Sequence, residues 1–85
     1  YPNPFNPETT IPYQLTEPSH VKLSIHNFLG QHVNTLIDEQ KTAGYQTVNW
    51  NGNDVNGKPM ASGIYIYRLE TSGSSMQTKK FILTR

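Results

Sequence analysis

The stretch His20-Val21-Lys22-Leu23-Ser24-Ile25-His26-Asn27 decides the fold class, because Val21, Leu23 and Ile25 fall on one side of an extended chain and polar residues on the other. A period of two is the mark of a half-buried β-strand. Upstream, Ile11, Tyr13 and Leu15 alternate in the same way from Thr10 to Leu15. Pro12 assigns that strand to a sheet edge, since it cannot donate to a ladder. Downstream, Val48 and Trp50 share a face between Tyr45 and Trp50. Tyr65, Tyr67 and Leu69 share one between Ile64 and Thr71, with Ile64, Ile66 and Arg68 opposite, and Phe81 and Leu83 face inward between Met76 and Leu83. Gln31 to Ile37 spaces Val33, Leu36 and Ile37 less regularly, which reads as a strand with a bulge.

Between these runs lie turn signals: Thr16-Glu17-Pro18-Ser19, Phe28-Leu29-Gly30, Asn51 to Gly57, and Ser72-Gly73-Ser74-Ser75. The Asn-Gly pairs favour backbone with positive φ. Asp38 to Gly44 is polar and short, and reads as a loop ended by Gly44. The pattern predicts an all-β, immunoglobulin-like antiparallel β-sandwich of about seven strands. Its expected core is Tyr13, Val21, Leu23, Ile25, Val48, Trp50, Tyr65, Tyr67, Leu69, Phe81 and Leu83. Residues 1–85 form one domain, and residues 1–8 are a Pro-rich lead-in anchored only by Tyr1 and Phe5. Eighty-five residues leave no room for a second core.

The formal net charge is +1, which speaks against a nucleic-acid tract or an acidic tail. The charge is unevenly placed. Up to Tyr67 there are three basic and five acidic residues; from Arg68 onward Arg68, Lys79, Lys80 and Arg85 stand against Glu70 alone. With no cysteine there is neither a disulfide framework nor a thiolate metal site. No run approaches the roughly 20 apolar residues of a membrane helix. Lacking an initiating Met or a signal peptide, the sequence is expected to begin inside a longer gene product.

Candidate chemical sites are weak. His20, His26 and His32 are evenly spaced on extended chain, which does not converge three imidazoles. Asn51, Asn53 and Asp54 superficially resemble a calcium loop, but one carboxylate holds calcium poorly, and a self-capping structural turn is the better reading. Ser62 lies in Ala-Ser-Gly, not in the Gly-x-Ser-x-Gly elbow of a nucleophile. No enzymatic activity, cofactor or metal is expected. Trp50 and the five tyrosines could form a carbohydrate platform, with Trp50 as the sugar contact, but the inward register favours packing.

The motifs Tyr1-Pro2-Asn3-Pro4-Phe5-Asn6-Pro7, Thr9-Thr10-Ile11 and Asn27-Phe28-Leu29-Gly30-Gln31 resemble the C-terminal sorting domains (type A) of type IX secretion cargo. Ala43-Gly44, Trp50-Asn51-Gly52, Ala61-Ser62-Gly63-Ile64-Tyr65, Tyr67-Arg68-Leu69 and Thr78-Lys79-Lys80 follow in that family's order. They also look like the immunoglobulin-like domain of flagellar hook-capping proteins. The first resemblance implies a non-catalytic C-terminal domain of a secreted multidomain protein, read by an outer-membrane translocon and trimmed by a sortase-like peptidase. Its location would be secreted or cell-surface, through the periplasm of a Gram-negative bacterium, attached to upstream catalytic or binding domains. The recognition residues it implies are Gly63, Tyr65, Lys79 and Lys80, within a final hairpin from Ser62 to Arg85. A Gly opening a strand permits close backbone approach, and edge lysines either keep the strand soluble or offer charge to a partner. The sequence departs from the family's usual pattern at His26 and in a loop with Asn51 and Asn53 in place of Asp. The rival reading is a carbohydrate-binding or spacer module of an extracellular glycoside hydrolase.

Overall fold

A computed structural model describes residues 8–72 and 76–84. The lead-in through residue 7, residues 73–75 of the last turn and residue 85 lie outside the described residues. Among the described residues there are six strands: β1 (Thr9–Leu15), β2 (Ser19–Asn27), β3 (His32–Lys41), β4 (Gly44–Trp50), β5 (Gly63–Thr71) and β6 (Met76–Leu83). Strands β1 and β4 pair as a two-stranded sheet, and the other four pair in the order β3-β2-β5-β6, antiparallel throughout. The all-β sandwich is as expected, with six strands in place of about seven.

Alternation within each strand builds the core. Val21, Leu23 and Ile25 of β2 are fully buried, and Ile11, Tyr13 and Leu15 of β1 close over them from the smaller sheet. Trp50 ends β4 with no exposed surface, and Tyr65, Leu69, Leu83, Val33 and Ile37 complete the interior. Val48, Tyr67 and Phe81 pack on this cluster while only partly buried. The expected core therefore omits Ile11, Leu15, Val33 and Ile37, whose burial comes from strands with one open edge. Pro12 sits on β1, which has a partner on one side only, so the ladder tolerates its missing N–H.

Strand β3 corrects the reading of Asp38 to Gly44 as a loop. Its pairing with β2 runs unbroken from Ser19↔Lys41 to Leu23↔Ile37, so only Thr42 and Ala43 link β3 to β4. An edge strand beyond the core keeps its main-chain ladder while its side chains meet solvent, and the apolar period vanishes with no loss of structure. Register shifts between Leu23 and Ser24 and between Ile25 and His26 place two irregularities further along this pair. They bend β3 where Val33 turns inward.

The turns are held by side chains of the types read as turn formers. Asn27 Oδ1 accepts from the N–H groups of Leu29 (3.0 Å) and Gln31 (2.9 Å). Asp54 Oδ1 accepts from the N–H groups of Asn56 and Lys58, both at 2.9 Å. Gly57, second of an Asn-Gly pair, has φ 83°, where a Cβ would be strained. The loop is clamped to the sandwich: Trp50 Nε1 donates to Asn53 O at 2.8 Å, and Val55 N to Val33 O at 3.1 Å.

Candidate functional site

The conventional signs of a catalytic or metal centre do not converge among the described residues. His20 Nε2 meets Asp38 Oδ1 at 2.6 Å, His26 Nε2 meets Ser24 Oγ at 2.9 Å, and His32 Nε2 meets Thr35 Oγ1 at 2.8 Å. Each imidazole has a separate local partner, although His26 and His32 contact edge to face at 5.7 Å. No group of three or more metal-ligating side chains comes together among the described residues. Ser24 and His26 lie at the distance of a nucleophile and its base. Ser24, however, is 2% exposed, and His26 Nδ1 is buried beside the Gly30 backbone without a hydrogen bond of normal geometry, where an orienting carboxylate would be needed. Burial, reinforced by the nearby Arg68 and His32, holds the His26 pKa below the ordinary imidazole value.

An open surface depression of about 360 Å³ lies on the outer face of the smaller sheet between Pro12, Gln14, Tyr45 and Thr47, with Tyr45 85% exposed. Trp50, by contrast, has no exposed ring face. It cannot stack on a sugar without the core opening, which removes the contact assigned to it.

The four residues assigned to recognition are gathered on the β5–β6 hairpin, though they do not present one surface. Gly63 opens β5 opposite Leu83, at φ 156°. A Cβ there would meet nothing within 4 Å, so the backbone conformation, not close approach, is what favours glycine. Tyr65 is a core residue: its ring lies 5.3 Å from Trp50 and its hydroxyl donates to Ala61 O at 2.6 Å. Lys79 and Lys80 face opposite sides of β6, across from Tyr67 and Ile66 respectively. Both are exposed, and neither forms an ion pair among the described residues.

Cross-strand rows show what the larger sheet offers. Its outer face carries Ile82 beside Ile64, then Lys80, Ile66, His26 and His32, then Thr78, Arg68, Ser24 and Thr35. Ile64 and Ile82 are 50% and 71% exposed. Its two lateral edges, β3 and β6, have no neighbouring strand among the described residues. The β6 edge carries Lys79 and Lys80, and the β3 edge carries Asp38 and Glu39, exposed at 59% and 64% of their side chains. The acidic edge escapes a reading from hydrophobic period because it lies in the polar run taken for a loop.

Residues 5–75 match the family model of the FlgD Ig-like domain. Among solved structures the chain is similar to FlgD from P. aeruginosa, with a TM-score of 0.73, 24% identity, and coverage of 89% of this chain and 60% of that one. It is also similar to FlgD from Xanthomonas campestris, described for hook capping essential to flagellar assembly, with a TM-score of 0.71, 21% identity, and coverage of 93% and 59%. At these identities the likeness shows the fold, and the chain spans about three fifths of each of those proteins. No curated protein matches.

These matches overturn the assignment to the type IX sorting domains. With it fall the translocon and sortase-like peptidase as partners, the secreted or cell-surface destination, and the rival module of a glycoside hydrolase. The motifs misled for a physical reason. Trp50-Asn51-Gly52, Gly63-Ile64-Tyr65 and Asn27 to Gln31 set turns and core contacts, so any domain of this architecture can carry them whatever it docks with.

Proposed function

The chain belongs to the FlgD Ig-like domain family, and on that footing we propose that it is a non-catalytic assembly module within a larger scaffold protein of the flagellar hook-capping type. Residues 1–85 act as one unit, with residues 1–8 as its lead-in. The observation that carries this reading is the family match over residues 5–75. The distribution of the surface supports it. A polar group inside an enclosed pocket is how small-molecule sites select their ligands, whereas the exposed charged and apolar side chains described above are spread over one sheet face and its edges. Broad, edge-rich surfaces of this kind suit protein docking.

The test is a domain graft. Residues 1–85 replace the matching domain of a flagellar hook-capping protein, in a strain lacking its own copy, and swimming and hook assembly are scored. A graft that restores both above the level of a domain deletion supports the assembly role. A graft that is folded and exported, yet no better than the deletion, overturns it.

A further inference from the structure

The two edges of the larger sheet that have no neighbouring strand among the described residues are complementary to each other. With four strands, all antiparallel, its outer strands β3 and β6 run in opposite directions. A second copy continuing the sheet therefore brings β3 beside β6 as an antiparallel pair, the pairing the sheet already uses.

The charges agree with that geometry on both faces. Lys80 shares the outer face with its partner Ile66, and Asp38 shares that face through its partner Lys22, which pairs in turn with Glu70. Lys79 lies on the core side opposite Tyr67, and Glu39 lies on the core side opposite Val21. The charge of Glu39 reaches the phenol of Tyr13, which burial in the first place and this carboxylate in the second push above its ordinary pKa. β6 thus presents one basic residue to each face, and β3 one acidic residue to each face, with Lys41 two residues beyond Glu39 on the core side.

We propose that copies of this chain associate head to tail, β3 of one adding to the outer edge of β6 of the next, with Lys79 opposite Glu39 and Lys80 opposite Asp38. This deepens the assembly reading and rests on it for its biological purpose, though not for its geometry. An antiparallel register that sets Lys79 against Glu39 necessarily sets Lys80 against Asp38. It also sets half-buried Phe81 against buried Ile37 on the core side, and Thr78 against Gln40 outside. Other registers lose this agreement. Sliding two residues one way opposes Lys79 to Lys41, and two the other way opposes it to Ile37. A slip of one residue exchanges the faces.

The pairing is also bounded. From Ile37 to Lys41 the ladder of β3 is regular, and the register shift between Leu23 and Ser24 follows immediately beyond Ile37. Five residues of β3 can therefore accept Gln77 to Phe81 before the strand bends away. Asp38 Oδ1 already meets His20 at 2.6 Å, and Glu39 lies 3.8 Å from Lys41. The first contact is exposed and the second partly so, with Lys41 half-buried, and both lie within one copy, so an incoming lysine joins carboxylates that already face solvent. Lysines on an edge strand ordinarily repel a second strand; against an acidic edge they select it. Such contacts are heterologous and leave an unused edge at each end of a pair, so association continues beyond two copies, to a ring if the rotation between copies closes and to a filament if it does not.

The experiment is sedimentation velocity on the 85-residue chain from micromolar to millimolar concentration, at low and high salt. The expected result is an average mass that rises with concentration and falls back at high salt, where exposed charge pairs are screened. The double variants Lys79→Glu/Lys80→Glu and Asp38→Lys/Glu39→Lys should each lose association while keeping the parent's circular dichroism. Mixed in equal amounts they should regain it, because each supplies the edge charge the other now needs. A parent that stays monomeric over the whole range overturns the pairing. So does self-association by either variant at the parent's level, or a mixture that fails to associate when the parent does. None of these outcomes bears on the domain graft, where assembly can run through other parts of the scaffold.

Discussion

Phe81 stands edge-on to the indole of Trp50, with ring centroids 5.7 Å apart and planes at 89°. Tyr65 meets the same indole at 5.3 Å, so one fully buried ring ties β4 of the smaller sheet to both strands of the final hairpin. Replacing Trp50 by Ala removes that tie and leaves a cavity, at about 3–5 kcal/mol for a buried aromatic residue. A chain of this length has roughly 4–13 kcal/mol in all. Trp50→Ala should therefore lose from about a quarter to all of that margin and show a strongly lowered urea midpoint, and Trp50→Phe should retain the fold with a smaller drop. An unfolding free energy for Trp50→Ala within about 1 kcal/mol of the parent's, small beside the usual penalty for such a truncation, would show that the sheets are held together elsewhere.

Tyr65 makes a sharper test of the hairpin. Its hydroxyl donates to Ala61 O at 2.6 Å while its ring is buried. Tyr65→Phe keeps the ring and deletes one bond, for an expected loss of about 1 kcal/mol. In a domain of this size that corresponds to a melting temperature lower by about 4–8 °C. An unchanged melting temperature would mean that Ala61 O is equally well satisfied by water.

Most of the fold was legible because it rests on alternation and on turn chemistry. Val21, Leu23 and Ile25 read as a buried face, and they are one. Asn51 to Gly57 read as a structural turn, and Asp54 Oδ1 serves the loop backbone. What the period of two could not disclose is structure sustained by main chain alone. Asp38 to Lys41 continues β3 through ladder bonds to Ser19 through Lys22, with no buried apolar side chain to announce it. The candidate site was hidden for the same reason, since its acidic half lies in that run. Its basic half, Lys79 and Lys80, was visible as a charge imbalance, but sequence alone does not say that these side chains point to opposite faces. Tyr65 was read as a recognition residue from motif resemblance, while its register already placed it inward.

The Asn51–Gly57 segment yields a prediction about metal as well as stability. Asp54 Oδ1 accepts two backbone N–H groups, and Asn51 Oδ1 accepts that of Asn53 at 3.0 Å. Asp54→Ala deletes both of its bonds and should cost about 1–3 kcal/mol, while Asp54→Asn keeps an acceptor and should cost less. Calcium added in excess should leave the parent's melting temperature where it is, because a ligand stabilises only by binding the folded state. A rise with calcium that disappears in Asp54→Asn would instead make the loop a cation site.

The last prediction concerns acid sensitivity and follows from His26. Burial first, then Arg68 and His32, hold its pKa below the ordinary 6.5, against smaller upward effects from the Gly30 backbone and Glu70. Arg68 sits diagonally across on β5, His32 is the cross-strand partner on β3, and Lys80 occupies the same row on β6, so the ring is set among groups that disfavour a second positive charge. The fold therefore prefers the neutral imidazole. Above the unfolded value neither state is protonated, and the full contribution is present. As pH falls below 6.5, the unfolded chain takes up a proton that the folded chain resists, and stability declines. It levels off once the folded-state imidazole is protonated as well. Urea midpoints measured at about pH 7.5 and about pH 5, a range that spans histidine titration, should fall further for the parent than for His26→Gln, which cannot titrate. Titrating groups remote from His26 contribute equally to both proteins and cancel in the difference. Equal declines in parent and variant would show that His26 is as readily protonated folded as unfolded, and a larger decline in the variant would reverse the sign argued here.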